Sequence, residues 1–108
     1  MSEPAGLDIA TLQKIKSILL SELEAKLHYV LFVFGSRATS QFRKYSDLDL
    51  WIESSPRLTA RELSDLHEKF EESDLAIKVD LVTPENCLPV YLPQIGSEKK
   101  LWFEKGSV

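Results

Sequence analysis

The chain has 108 residues, 44% hydrophobic and 28% charged, the profile of an ordinary globular protein and the length of one domain, residues 1–108. Its net charge of −4 argues against a basic nucleic-acid-binding face, so direct nucleic-acid binding is not expected. A single cysteine, Cys87, excludes an internal disulfide, and no run approaches the roughly 20 apolar residues that span a bilayer, so no membrane association is expected. The first residues lack a signal-peptide pattern, and the expected location is the cytoplasm.

Taken in order, Pro4 and Gly6 break any early helix, and Asp8 or Thr11 is placed to cap the first long one. From Ile9 to about Lys26, Leu12, Ile15, Leu19 and Leu23 recur at spacings of three and four. That is the buried stripe of an amphipathic helix, widened by Ile18, Leu20 and Leu27. His28–Phe34 is rich in β-branched and aromatic residues on both faces and predicts a central strand. A loop with one or two helical turns leads to a second strand, Leu48–Ile52. Glu53 to Pro56 signals a turn. Thr59 and Glu62 fit a capping box for a helix reaching about Ser73, with Leu63, Leu66 and Phe70 inward. Its acidic face, and His67 within it, predict simple solvation; His28 predicts an edge residue. The stretch Ala76–Val82 predicts a third strand, with Ile77, Val79 and Leu81 toward the core and Lys78 and Asp80 on the other face. Thr83 and Pro84 predict the start of a short irregular helix from Glu85 to about Gln94, ended by Gly96. Lys100–Glu104 predicts a last strand. Trp51, Tyr91, Trp102 and Phe103 are the candidates for an exposed apolar interface.

The chemistry concentrates between Gly35 and Leu50. Asp47 and Asp49, one residue apart on a strand, project from the same side. Two carboxylates this close repel unless something positive lies between them. A hard cation with oxygen ligands is the natural partner, and Mg²⁺ typically takes one or two carboxylates plus substrate phosphates; Mn²⁺ suits the same donors. Upstream, Gly35 comes after a strand and permits a tight turn. Ser36 starts a short helix whose free N–H groups, with the serine hydroxyl and Arg37, are suited to phosphate. Burying an unpaired carboxylate costs several kcal/mol, so Asp49 and Asp80, each set between apolar neighbours, are expected to hold a cation rather than to stand alone.

Gly35-Ser36, ten residues, then Asp47-x-Asp49, with a third aspartate at Asp80, resembles the signature of the DNA polymerase beta-like nucleotidyltransferase superfamily. The form Gly-Ser-Arg-Ala and then Ser-Asp-Leu-Asp-Leu looks like its minimal nucleotidyltransferase (MNT) family, over roughly residues 28 to 82. The family often carries a glycine two residues after the alanine, where this chain has Ser40. The resemblance implies an α/β (α+β) fold, a small mixed sheet with helices packed on it. It also implies a nucleotidyltransferase using two metal ions, with Asp47 and Asp49 ligating both and Asp80 the one nearer the attacking hydroxyl. Gly35, Ser36 and Arg37 would hold the nucleotide phosphates, with Lys44 and Lys78 as further candidates.

Two ions held this way sit about 3.5–4 Å apart and stabilise both the attacking and the leaving oxygens. MNT-family proteins are typically paired with a helical HEPN-type protein. The pairing implies an antitoxin that transfers AMP from ATP to a tyrosine of its toxin partner. The residues alone carry only the metal and phosphate part. Two other outcomes stay open: transfer to a small hydroxylated molecule, and a non-catalytic module that binds a partner.

Overall fold

The computed structural model describes residues 3–39 and 41–106. Its elements run α1 (Ile9–Leu23), β1 (His28–Phe34), a 3₁₀ turn (Gly35–Ala38), β2 (Leu48–Ser55), α2 (Ala60–Glu72), β3 (Val79–Val82), a second 3₁₀ turn (Pro89–Tyr91), α3 (Leu92–Glu98) and β4 (Lys100–Lys105). The four strands form one sheet in the order β3-β2-β1-β4. β1 pairs antiparallel with β2 and β4, and β2 pairs parallel with β3. The sheet is therefore mixed, as expected. The parallel pair needs a crossover, and α2 supplies it.

One face of the sheet carries Leu31, Val33, Leu48, Leu50, Ile52, Val79 and Leu81, which pack against Leu12, Ile15, Leu19 and Leu23 of α1 and Leu66 and Phe70 of α2. The stripe read from α1 is the one buried, but the helix ends at Leu23 and Leu27 is 71% exposed, outside it. The cap is Asp8, whose carboxylate accepts from the Thr11 N–H at 2.8 Å. β1 is central, yet only Leu31 and Val33 are fully buried on it. On the opposite face, Lys99 Nζ lies 4.5 Å from the Phe32 ring centre and 5.4 Å from that of Trp51. The Trp51 indole donates to Glu53 at 2.8 Å.

Three expectations fail here. Trp51, Trp102 and Phe103 are 5%, 3% and 8% exposed, so they are packing residues and not an interface; Tyr91 alone is exposed. β3 begins at Val79 rather than Ala76, and β2 runs on to Ser55 because its last residues still pair with β1. Residues 84–86 form a turn tied by Thr83 and Asn86, which exchange side-chain and backbone hydrogen bonds. The helix comes later because proline tolerates only the first turn of a helix. Pro89 and Pro93 take those positions in the second 3₁₀ turn and α3, and Gly96 lies inside α3.

The capping box of α2 is complete: Thr59 Oγ1 accepts from the Glu62 N–H and Glu62 Oε1 accepts from the Thr59 N–H. Lys26 Nζ, almost fully buried, donates to the same Glu62 oxygen at 2.9 Å. The cap and the cation together hold the Glu62 carboxyl below its ordinary range. Glu62→Ala removes the side-chain half of the capping box and leaves a buried ammonium unpaired, and is expected to cost about 2–4 kcal/mol in urea unfolding at pH 7. A depressed carboxylate contributes stability above its unfolded value, lost as pH falls through the folded one. The gap between wild type and variant is therefore expected to close below about pH 4.

Candidate active site

The site is built where three strands end side by side. Asp49 on β2 stands opposite Asp80 on β3 in the parallel ladder, and opposite Phe34 on β1 in the antiparallel one. Residues directly paired across a sheet share a face, so the two carboxylates and the phenyl ring project together, away from the helices. Leu48, Leu50, Val79 and Leu81 alternate with them and are buried on the other face, which fixes the register. The chain leaves β1 at Gly35 with φ +72°. A Cβ there would collide with the Asp49 carboxylate, so glycine is required both for the turn and for the close approach.

A cleft of about 730 Å³ opens over this corner, floored by Phe34, Gly35, Asp49 and Asp80. Its far wall comes from the segment after β3, with Asn86, Leu88, Tyr91 and Glu98. Burial first, and then the charges of Asp80, Asp47 and Glu98, push the Asp49 carboxyl up to about 6. Asp80 is half-buried, and Lys78 Nζ lies 3.4 Å from its Oδ1. Asp47, just before β2, is exposed and acts on Asp49 through its charge. Among the described residues no group of three or more acidic, histidine or cysteine side chains is already gathered closely enough to hold a metal ion. The donor set nonetheless fits a hard divalent cation: two oxygen donors side by side and a third nearby, leaving positions for water and phosphate as Mg²⁺ prefers. Asp49 and Asp80, with Asp47, would hold such an ion, which when bound supplies positive charge for a phosphoryl group in the cleft.

Of the expected phosphate residues, Gly35 lines the cleft and Ser36 comes next to it in the 3₁₀ turn. Arg37 is placed otherwise. Its guanidinium is 1% exposed and donates to the carbonyls of Ala5 (2.8 Å), Ser46 (3.0 Å), Lys44 (3.2 Å) and Arg43 (3.4 Å). It is a clamp on the loop that delivers Asp47 and not a free charge in the cleft, which corrects the expectation from sequence. Lys44 is exposed and lies over the Tyr45 ring, 5.4 Å from its centre. Ser40, expected from the family resemblance to be the departing position, lies outside the described residues. Sequence reasoning missed Glu98 and Asn86, which carry no motif and reach the cleft only through the turns after β3. It also missed His67, which lines the cleft from α2.

This corner, a glycine turn against paired carboxylates at a sheet edge, is that of a nucleotidyltransferase. Residues 13–107 match the family model described as "Polymerase beta, Nucleotidyltransferase", and the chain belongs to that family. It is 40% identical over 84 residues to the probable protein adenylyltransferase MntA of Haemophilus influenzae, covering 76% of this chain and 71% of the relative. Two solved structures share the fold. A toxin–antitoxin crystal structure with AMP-PNP superposes with a TM-score of 0.65 at 24% identity, over 83% of this chain and 71% of that one. A mutant MntA–HpeT toxin–antitoxin structure gives 0.60 at 23%, over 84% and 69%.

Two outcomes test the site. Asp49 is raised above its ordinary 3.8, so the folded state holds a proton that the unfolded chain has lost, and stability falls as pH rises from about 4 to above 6. In metal-free buffer, Asp49→Asn is expected to flatten that decline in thermal melts and to melt higher than wild type at pH 7.5. Arg37→Lys keeps the charge but loses the fork. It is expected to cost about 2–4 kcal/mol in denaturant unfolding, because carbonyls tied by one side chain lose their donors together.

Proposed function

We propose that the chain, acting as one domain over residues 1–108, is a Mg²⁺-dependent adenylyltransferase that moves AMP from ATP to a hydroxyl on a partner protein. The partner is a HEPN-type toxin, and the chain is its cytoplasmic antitoxin. The observation that carries this reading is the facing of Asp49 and Asp80 across the β2/β3 ladder, at the floor of a cleft that starts at the Gly35 turn. Family membership supports nucleotidyl transfer. The H. influenzae relative's name supports protein as the acceptor, and the toxin–antitoxin structures, one with AMP-PNP, support a nucleotide and a toxin as companions.

Each residue has a part in the transfer. The backbone at Gly35 and Ser36 holds the terminal phosphates; Asp47 and Asp49 would hold divalent cations, two as the family resemblance implies, with Mg²⁺ or Mn²⁺ suited to their oxygens. Asp80 would help to hold a cation and receives the hydroxyl proton. The acceptor oxygen forms a bond to the α-phosphorus, the bond to the bridging oxygen breaks, and pyrophosphate leaves with its electron pair. A divalent cation held by these carboxylates would supply positive charge against the charge that builds on the phosphoryl oxygens.

The test is transfer of label from α-labelled ATP into protein in a host lysate with Mg²⁺. A single labelled band is expected with wild type, and a drop of about 10³-fold or more with Asp80→Asn, the scale of losing a group that acts on the reacting oxygen. Equal labelling by the variant, or none by wild type, contradicts the reading.

A further inference from the structure

Two depressions in the surface meet at Asp80. One is the cleft floored by Gly35 and Asp49. The other, of about 450 Å³, lies between the C-terminal half of α2 and the segment that leads into β3. Asp80 and His67 line both. β3 is an edge strand, and the two depressions run along it end to end: Lys78, Val79 and Asp80 line the second, and Asp80, Leu81 and Val82 the first.

Transfer between two molecules needs two seats that share the reacting centre. In-line displacement adds a direction, because the attacking oxygen must enter opposite the departing pyrophosphate. With the terminal phosphates at the Gly35 turn, pyrophosphate leaves toward Gly35, and the acceptor enters from the far side of Asp80. We propose, resting on the adenylyltransferase reading, that the second depression is the acceptor seat and takes a hydroxyl-bearing segment of the partner protein. Its chemistry supports a protein segment over a small polycation. Phe70, Leu75 and Ile77 give it an apolar patch among polar groups, and Glu71 and Asp80 set two negative charges against the one positive charge of Lys78. A polycation would meet the Lys78 ammonium beside the one carboxylate it must approach.

The experiment uses the full chain and the protein labelled in the lysate, purified as acceptor. Glu71 is exposed and does not line the first cleft, so Glu71→Trp fills the second depression and leaves the core alone. The acceptor KM is expected to rise about tenfold or more, with ATP–Mg²⁺ affinity within about twofold of wild type, the pattern of lost acceptor binding without lost nucleotide binding. Leu75→Arg, read in the same way once its melting curve shows a folded protein, gives a second route to the same split. Val90→Arg, 75% exposed and outside both depressions, is the control and is expected to leave the acceptor KM unchanged. An unchanged acceptor KM in both Glu71→Trp and folded Leu75→Arg overturns the seat while the adenylyltransferase reading stands, and a raised KM in Val90→Arg alone would place docking on the Leu88–Leu92 side. Absence of any labelled protein with wild type overturns the adenylyltransferase reading itself, and this occupant with it.

Discussion

The structure turns on a repulsion. Asp49 and Asp80 are brought face to face by the β2/β3 register, half out of water and with Asp47 and Glu98 adding like charge. No local preference of either strand asks for this. The pairing persists because Leu48, Leu50, Val79 and Leu81 are locked into the core on the reverse face, and a slip of either strand by one residue would turn its own pair outward. The apolar side of the sheet therefore enforces an unfavourable arrangement on the polar side. That is the usual way strain accumulates where chemistry is done.

The enforcement has a chain of supports. α2 is the crossover that makes β2 and β3 parallel, and it is held at its start by the Thr59–Glu62 box and by Lys26, just beyond the end of α1. The Gly35 turn lets the backbone approach Asp49 as no residue with a side chain allows. Arg37, two residues later, fixes the loop from Arg43 to Ser46 that carries the chain into Asp47. Core, crossover, turn and clamp all converge on two carboxylate groups.

How much of this was legible depends on where the information sits. The stripe of α1, the span of β1, the capping box and the Asp47-x-Asp49 pair are local patterns, read directly from spacing, whereas Asp80 was singled out by the family resemblance. The face shared by Asp49 and Asp80 was legible because strand alternation needs only the neighbours. Burial across the sheet was not. Trp51 and Phe103 look alike from sequence whether they face solvent or a partner strand, and here they are covered. Arg37 was misread for a related reason. A guanidinium beside a turn expected to bind phosphate invites a phosphate role, and only the fold shows four carbonyls, three from the loop and one from Ala5, waiting for it. The late helix slipped because Pro89 and Pro93 each restart the count of a first turn.

The bracket at Arg37 also ties two distant parts of the chain. The Ala5 N–H donates to the Arg37 carbonyl at 2.8 Å while the Arg37 guanidinium donates back to the Ala5 carbonyl. The segment ahead of α1 is thereby a mechanical lever on the loop before β2. An affinity tag fused there, or a cut made before Leu7, pulls on the mount of Asp47 through a contact that spans 32 positions of sequence. Weak activity in a tagged preparation would then report on the handle and not on the enzyme.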